Sequence, residues 1–329
     1  MRVGVLGFGK VAEATHLPAF ASGRCRAAFD VIAVAEPSPE RRAVAARLLP
    51  EARLYESAEA LFAREEVDLA DVAAPPFLHV PLVEAALRAG SHVLCEKPLS
   101  LDPEEVRALG QRARERGRVL YTVNNWRHAP LVSEAIGRAR EAGRIRFVGW
   151  SVRRVAADPG AAPGGKTWRE DPRLALGGIL VDHGWHAFTV VHALLGTGPR
   201  EVRARLREEE GKGDVESRVR IDQGGTRVSV RLTWRARRRA NRARIAAKSV
   251  LRLEDDRLVM KSEVVSFPER LSQGSMHPGW FPPVLDALVD EIEGRSERGR
   301  SLEESLYCAS TIQGAYESAR RGGAAVRVG

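Results

Sequence analysis

The chain opens on Met1-Arg-Val-Gly-Val-Leu-Gly7-Phe-Gly9-Lys-Val-Ala12, an apolar run that ends in a glycine-rich turn. A strand delivered straight into Gly-x-Gly-x-x-Ala leaves few folds open. Gly7 permits the tight turn, Gly9 lets backbone approach a pyrophosphate, and small Ala12 permits close packing of helix on strand. The helix that follows would offer free amides and the positive end of its dipole to a diphosphate. Such a turn also occurs in plain loops, but the strand–turn–helix context selects the dinucleotide reading. Gly7, Phe8, Gly9, Lys10, Val11 and Ala12 are therefore candidate cofactor-binding residues.

The first 123 residues alternate short apolar runs with helix-patterned segments, which predicts βαβ units and a parallel sheet. Strands are expected at Arg2–Leu6, Val31–Ala35, Leu69–Ala73, His92–Cys95 and Val119–Val123, and helices at Pro39–Leu49, Val80–Ala89 and Pro103–Arg116. Asp102-Pro103 gives an N-cap followed by proline at the first helical position, and Gly90 and Gly117 sit where C-caps belong. From Asn124 the texture changes. A helix is expected at Leu131–Ala142, a strand at Ile145–Val155, a Gly/Pro/Ala-rich loop over Ala156–Gly165 and a helix at Asp182–Leu195. Runs at Glu201–Leu206, Ser217–Ile221, Thr226–Thr233, Ala243–Leu253 and Leu258–Val264 follow, and the period-two alternation clearest in Arg227–Thr233 argues for a half-exposed antiparallel sheet. Helices at Pro283–Glu293 and Leu302–Arg320 follow. The fold class is α/β: an N-terminal Rossmann, doubly wound parallel sheet over 1–123, then a C-terminal α+β domain over 124–329 built on an open, mainly antiparallel sheet. The C-terminal helix is free to pack back on the first domain.

Composition excludes several classes. At 329 residues, 44% hydrophobic and 29% charged, the chain is ordinary globular protein with room for two domains. No apolar stretch approaches the roughly 18 residues of a membrane span, and glycines and Lys10 interrupt any signal-peptide core, so a cytoplasmic protein with no membrane partner is expected. Cys25, Cys95 and Cys308 lack metal or redox spacing, which predicts reduced thiols. The net charge of +9 invites a nucleic-acid reading, and Arg231, Arg235, Arg237, Arg238, Arg239, Arg242 and Arg244 cluster. Only Trp234 interrupts the cluster as an aromatic and no nucleic-acid module surrounds it, so it reads as a hairpin on a solvated sheet edge, with no nucleic-acid partner. Positive potential would still favour acidic substrates or anionic cofactors.

Glu36 closes the second strand, where an acidic side chain accepts hydrogen bonds from the adenosine ribose hydroxyls; a solvated carboxylate at a strand end is the alternative. A carboxylate there repels a 2′-phosphate, so NAD is the expected cofactor. NADP is admitted because Arg41 and Arg42, one helical turn on, offset part of that repulsion. The strand Val93-Leu-Cys runs into Glu96-Lys97-Pro98, placing charge at a carboxyl end, where ligands bind in open α/β sheets. Pro98 cannot continue a ladder, so Lys97 sits at a turn, cis or trans. It either faces a nicotinamide or pairs with Glu96 as a rim lysine.

Gly177-Gly178-Ile-Leu-Val-Asp182-His183-Gly184-Trp185-His186 supplies partners for Lys97. Asp182 and His186 are four apart, so a helical turn sets both on one face. His186, with an ordinary pKa near ~6.5, suits proton transfer at neutral pH, and Asp182 can hold the imidazole or pair with Lys97. A helix-capping aspartate beside a core histidine is the alternative. Asp182, His183, His186 and His192 also suggest a metal. However, His192 lies about two-thirds of a turn round from His186 and no Cys or second carboxylate completes a tetrahedral set, so none is expected.

These residues resemble the glucose-fructose oxidoreductase/inositol dehydrogenase/rhizopine-catabolism family (Gfo/Idh/MocA). The resemblance is carried by Gly7–Ala12, Ala73–His79, Gly90–Pro98, Asn125-Trp-Arg127, Trp168–Pro172, Gly177–His186 and Tyr316–Gly322. It implies a Rossmann domain, a nicotinamide cofactor, sugar-like or polyol substrates, and a homodimer or homotetramer formed through the C-terminal sheet. By the same resemblance Lys97 and Asp182 would activate and orient a substrate hydroxyl, with His186 as acid/base. Ala74, Pro75, His79, Glu96, Asn125, Trp168 and Arg169 would lie near the cofactor, and Arg127 and His183 near the substrate. Two departures stand out: Leu176 replaces the usual small residue before the double glycine, and His183 and Trp185 are bulkier than the common Leu and Ser. Both put the substrate in question and leave the reaction class alone.

The reading is a dehydrogenase or reductase acting on a secondary alcohol or ketone of a polyol, sugar or sugar acid. Its rivals are a non-redox epimerase or glycosidase using tightly held NAD transiently, and a non-catalytic NAD-responsive binding protein.

Overall fold

The computed structural model describes residues 1–24, 26–156, 168, 171–273 and 276–329. The chain forms two compact units, Met1–Asn124 with Met276–Ser305, and Asn125–Ser275 with Leu306–Gly329. A single cut after residue 123 therefore does not describe it.

In the first unit, β1 (Arg2–Leu6), β2 (Asp30–Ala35), β3 (Arg53–Tyr55), β4 (Leu69–Val72), β5 (His92–Cys95) and β6 (Leu120–Thr122) form a wholly parallel sheet ordered β3-β2-β1-β4-β5-β6. The connections are α1 (Leu17–Phe20, entered through a π-helical turn at Ala12–His16), α2 (Pro39–Leu48), α3 (Ala58–Phe62), α4 (His79–Arg88) and α5 (Pro103–Glu115). The order reverses between β1 and β4, the switch point at whose carboxyl edge such sheets bind ligands. Every residue of β4 is buried, as expected where helices cover both faces of a parallel sheet. β3 and α3 escape sequence reading because three- and five-residue elements are too short to show a period.

The second unit holds α6 (Asn125–His128), α7 (Pro130–Glu141), β7 (Phe147–Arg153) and α8 (Trp185–Leu195), the last entered through a π-helical turn at Leu180–Gly184. Strands β8 (Arg200–Glu209), β9 (Gly213–Gln223), β10 (Thr226–Thr233), β11 (Ala240–Ala246), β12 (Val250–Glu254), β13 (Arg257–Met260) and β14 (Glu263–Ser266) follow. With the closing β15 (Val326–Val328) they make a nine-stranded sheet ordered β14-β13-β12-β11-β7-β10-β9-β8-β15, antiparallel except where β7 meets β10. Alternate residues are buried on one face, as in Val228, Val230 and Leu232.

Two expected single strands are hairpins. Ala243–Leu253 divides into β11 and β12, and Leu258–Val264 into β13 and β14. Ile245, Ala247, Leu251 and Leu253 keep one alternation parity across the turn, so the sequence pattern hides it. The arginine cluster also needs correcting. β10 and β11 flank β7 in the middle of the sheet, so Arg231, Arg242 and Arg244 project from its exposed face, joined by Arg205, Arg218, Arg220 and Arg252. Register sets Arg205 opposite Arg218, and Arg218 opposite Arg231.

α9 (Pro282–Ile292) returns to the first unit because Phe281, Val284, Leu285 and Leu288 make an apolar stripe of helical period. That stripe enters the same core as Val3, Val5, Phe20 and Leu94. α10 (Arg300–Arg320) gives its first turns to the first unit and the rest to the second.

Candidate active site

The glycine turn is fastened from several sides. Gly7 adopts φ +91°, and a Cβ there would stand 2.9 Å from the Ala74 backbone, so conformation and space both demand glycine. Around Gly9 nothing comes within 4 Å of where a Cβ would lie, which leaves the backbone open to a ligand. Ala12 and the Phe8 ring are buried. The Phe8 amide donates to Glu36 at 2.7 Å and the Ser38 amide to the other Glu36 oxygen at 2.9 Å. Each Glu36 oxygen keeps a lone pair for a ribose hydroxyl. Arg41 donates to the Phe8 carbonyl at 2.8 Å and to Glu13 at 2.7 Å, so its guanidinium braces the turn. Arg42 donates to the carbonyls of Glu36 and Pro37, both at 2.8 Å. Neither arginine stands ready for a 2′-phosphate as expected from their sequence positions.

Across the switch point, β4 leads into Ala74-Pro75 and β5 into Glu96-Lys97, with Lys97-Pro98 a cis peptide. His79, expected to touch the cofactor, is wholly buried: Nδ1 faces the Pro98 carbonyl at 2.7 Å and Nε2 the Ala74 carbonyl at 2.8 Å. It ties the two loops together. Burial holds its pKa below the usual histidine value, ahead of the opposing pull of those carbonyls.

Sequence reasoning missed a second buried histidine. His16 lies with Nδ1 2.9 Å from both Asp71 oxygens and Nε2 3.2 Å from Glu96 Oε1. Burial opposes its charge, but Asp71 and then Glu96 overcome that, raising it to about 9. Glu96 is in turn held below the usual carboxylate range: burial pushes up, and the His16 hydrogen bond and charge, with Lys97, prevail. Asp71 was legible as a carboxylate inside the apolar run Leu69–Ala73.

In the second unit, α6 carries Asn125 and Arg127. The Asn125 side-chain oxygen is buried without a hydrogen-bond partner among the described residues, an acceptor suited to a ligand amide or hydroxyl. Asp182 and His183 lie in the π-helical turn, 3.6 Å apart, while His186 lies in the first turn of α8. The His183 and His186 ring centroids are 6.4 Å apart. Trp126 stacks on His186 at 4.9 Å and 9°, fixing the plane of the imidazole. Trp168 is half-buried, and Arg169 lies outside the described residues.

This turn rests on Asp214. Its two oxygens accept the amides of Gly178 at 3.0 Å and Leu180 at 2.8 Å, the Tyr316 hydroxyl at 2.7 Å and the Ser217 hydroxyl at 2.6 Å. A Cβ on Gly178 would overlap the Asp214 backbone, which explains the second glycine of the pair. Leu176, immediately before them, sits at φ +63°, where a glycine would be at ease.

A Rossmann unit with a glycine turn, an acidic ribose position and a lysine on the same rim defines a dinucleotide-binding oxidoreductase class. Residues 1–125 match the oxidoreductase family with NAD-binding Rossmann fold, and 134–249 match the GFO/IDH/MocA C-terminal domain. The chain belongs to the Gfo/Idh/MocA family. It is 33% identical to the dTDP-3,4-didehydro-2,6-dideoxy-alpha-D-glucose 3-reductase of Streptomyces violaceoruber, over 71% of this chain and 66% of that one. It is 30% identical to the levoglucosan dehydrogenase of Pseudarthrobacter phenanthrenivorans, over 50% of this chain and 42% of the relative. The chain thus spans two thirds or less of these relatives. A solved levoglucosan dehydrogenase in complex with NADH and levoglucosan shares the fold, with TM-score 0.84, 23% identity, and coverage of 100% of this chain and 99% of that one.

Proposed function

We propose that this chain is a nicotinamide-dependent oxidoreductase acting between NAD(P) and a secondary alcohol, or the matching ketone, of a polyol, sugar or sugar acid. The observation that carries this reading is the shared edge of the parallel sheet. The Gly7–Ala12 turn after β1 and Lys97 after β5 stand at carboxyl ends separated only by β4. The backbone of Gly7–Ala12 with Glu36, Ala74, Pro75, Asn125 and Trp168 would hold the dinucleotide, and the open space at Gly9 and the unmatched Asn125 oxygen fit that role. The bound nicotinamide supplies the hydride acceptor or donor.

Lys97 is assigned to the substrate oxygen, where an ammonium stabilises developing negative charge. His186 receives the hydroxyl proton in oxidation and returns it in reduction, with Asp182 orienting the reacting hydroxyl. Arg127 and His183 are assigned to substrate contacts. NAD is favoured over NADP because Glu36 is buried beside the turn and Arg41 and Arg42 are engaged elsewhere. A cytoplasmic enzyme is consistent with the absence, among the described residues, of any helix long and apolar enough to cross a membrane. A homodimer or homotetramer through the C-terminal sheet would have to set carboxylates or bound anions opposite its exposed arginines.

The test is a panel of polyols, sugars and sugar acids assayed for NAD and NADP reduction. Lys97→Ala and His186→Ala should each lower turnover about 10²–10⁴-fold while dinucleotide binding persists. Wild-type turnover in both variants would remove these residues from the chemistry.

A further inference from the structure

One buried ionisable cluster has no part in the chemistry above. Asp71 lies within β4, in register between Val5 and Leu94, where the surrounding pattern is apolar. An ionised carboxylate only accepts hydrogen bonds, so an imidazole facing Asp71 with one nitrogen and Glu96 with the other carries a proton on both. Burying three ionisable groups is costly, and apolar side chains of similar volume at 16 and 71 would hold the sheet at least as well. Stability alone therefore does not account for the cluster.

Its geometry leads toward Lys97. Glu96 turns one oxygen to His16 at 3.2 Å and the other to the Lys97 backbone amide at 3.0 Å. The Phe281 ring lies against the imidazole, centroids 4.1 Å apart, and limits its swing. His16 also ends the π-helical turn that leaves the glycine turn, so the segment facing the dinucleotide grips the lysine rim. π-Helical turns of this kind are frequent at functional sites.

We propose that His16 is a positioning residue for the reaction: by bridging Asp71 and Glu96 it fixes the Glu96 carboxylate and, through it, the backbone from which Lys97 projects. This rests on the assignment of Lys97 to the substrate oxygen. His16 itself touches neither substrate nor cofactor.

The experiment is a double-mutant cycle on the full chain with His16→Gln, Lys97→Ala and the two combined, using the substrate given by the panel, with NADH binding by fluorescence and a thermal melt alongside. His16→Gln should lower kcat and kcat/KM together, about 10- to 100-fold, as loss of a supporting contact does. NADH binding should stay at the wild-type level, and the combined variant should be no slower than Lys97→Ala, because placing an absent amine gains nothing. Multiplying losses, or a wild-type kcat in His16→Gln, overturn the proposal. A wild-type rate in Lys97→Ala instead removes the reading of Lys97 on which it rests. A readout that needs no substrate is the acetylation rate of Lys97 by acetic anhydride, followed by mass spectrometry. That rate should change in His16→Gln, and an unchanged rate overturns the proposal. If His16→Gln does not fold, His16→Gln/Asp71→Asn keeps the cluster's net charge and should show the same loss of kcat; wild-type kcat in that folded variant overturns it equally.

Discussion

Asp71 in the parallel sheet and Asp214 in the antiparallel sheet are both buried, and the hydrogen bonds of each lead to a segment that carries side chains assigned to the reaction. Asp71 is satisfied by one imidazole that must be charged, and that charge is shared with Glu96. Asp214 is satisfied by four donors that are neutral, two amides and two hydroxyls. Burial, outweighing those four hydrogen bonds, raises the Asp214 pKa above the usual carboxylate value. The contrast teaches that a buried carboxylate can be held by charge or by geometry. The first couples the site to proton concentration, and the second couples it to the shape of one backbone turn.

The sharpest way to break the geometric side is Gly178→Ala. Its Cβ would overlap the Asp214 backbone, so a loss above about 4 kcal/mol in urea unfolding, or no folded protein, is expected. Next comes the pair of carboxamide substitutions. Asp71→Asn disturbs a buried ion pair and should cost about 3–5 kcal/mol, whereas Asp214→Asn disturbs hydrogen bonds from neutral donors and should cost about 1–3 kcal/mol. The reverse order in denaturant melts would end the contrast.

The pH dependence follows with a smaller effect. His16 is raised from 6.5 to about 9, so its contribution to stability is complete below the lower value and is lost as pH climbs through the upper one. Between the two values the loss should approach about 1.4 kcal/mol per pH unit. Asp214 is also raised from 3.8, by burial, so its contribution likewise falls as pH rises from the acid side. Melts in alkaline buffer should therefore flatten in Asp71→Asn, where His16 loses the carboxylate that does most to hold its charge. The smallest expected effect is a gain: Leu176→Gly relieves a left-handed residue beside the turn and should stabilise by about 1 kcal/mol, read as a higher melting temperature.

Much of the first unit was legible in the sequence. The Gly7–Ala12 turn, Glu36 and the Glu96-Lys97-Pro98 rim stand where strand and helix periods place them, because each is local to one strand–turn–helix step. Asp182, His183 and His186 were legible as a group, although their turn is π-helical where an α-helix was expected. His79 was assigned to the cofactor by its neighbours in sequence, but it closes a contact between Ala74 and Pro98 that only folding creates. The return of α9 to the first core was likewise hidden, since an apolar stripe announces burial without naming its partner.

Sequence alone determined most element types of both sheets and the glycine turn, and it offered candidates for moving a proton, because these depend on spacing along the chain and on side-chain chemistry. Only the tertiary structure decided that His16 bridges Asp71 and Glu96, that Asp214 carries the Gly177-Gly178 turn, and that Arg231, Arg242 and Arg244 line the middle of a sheet. Each of those joins groups far apart along the chain, and the energy of burying a charge or a carbonyl depends on the neighbours that folding brings within hydrogen-bond reach.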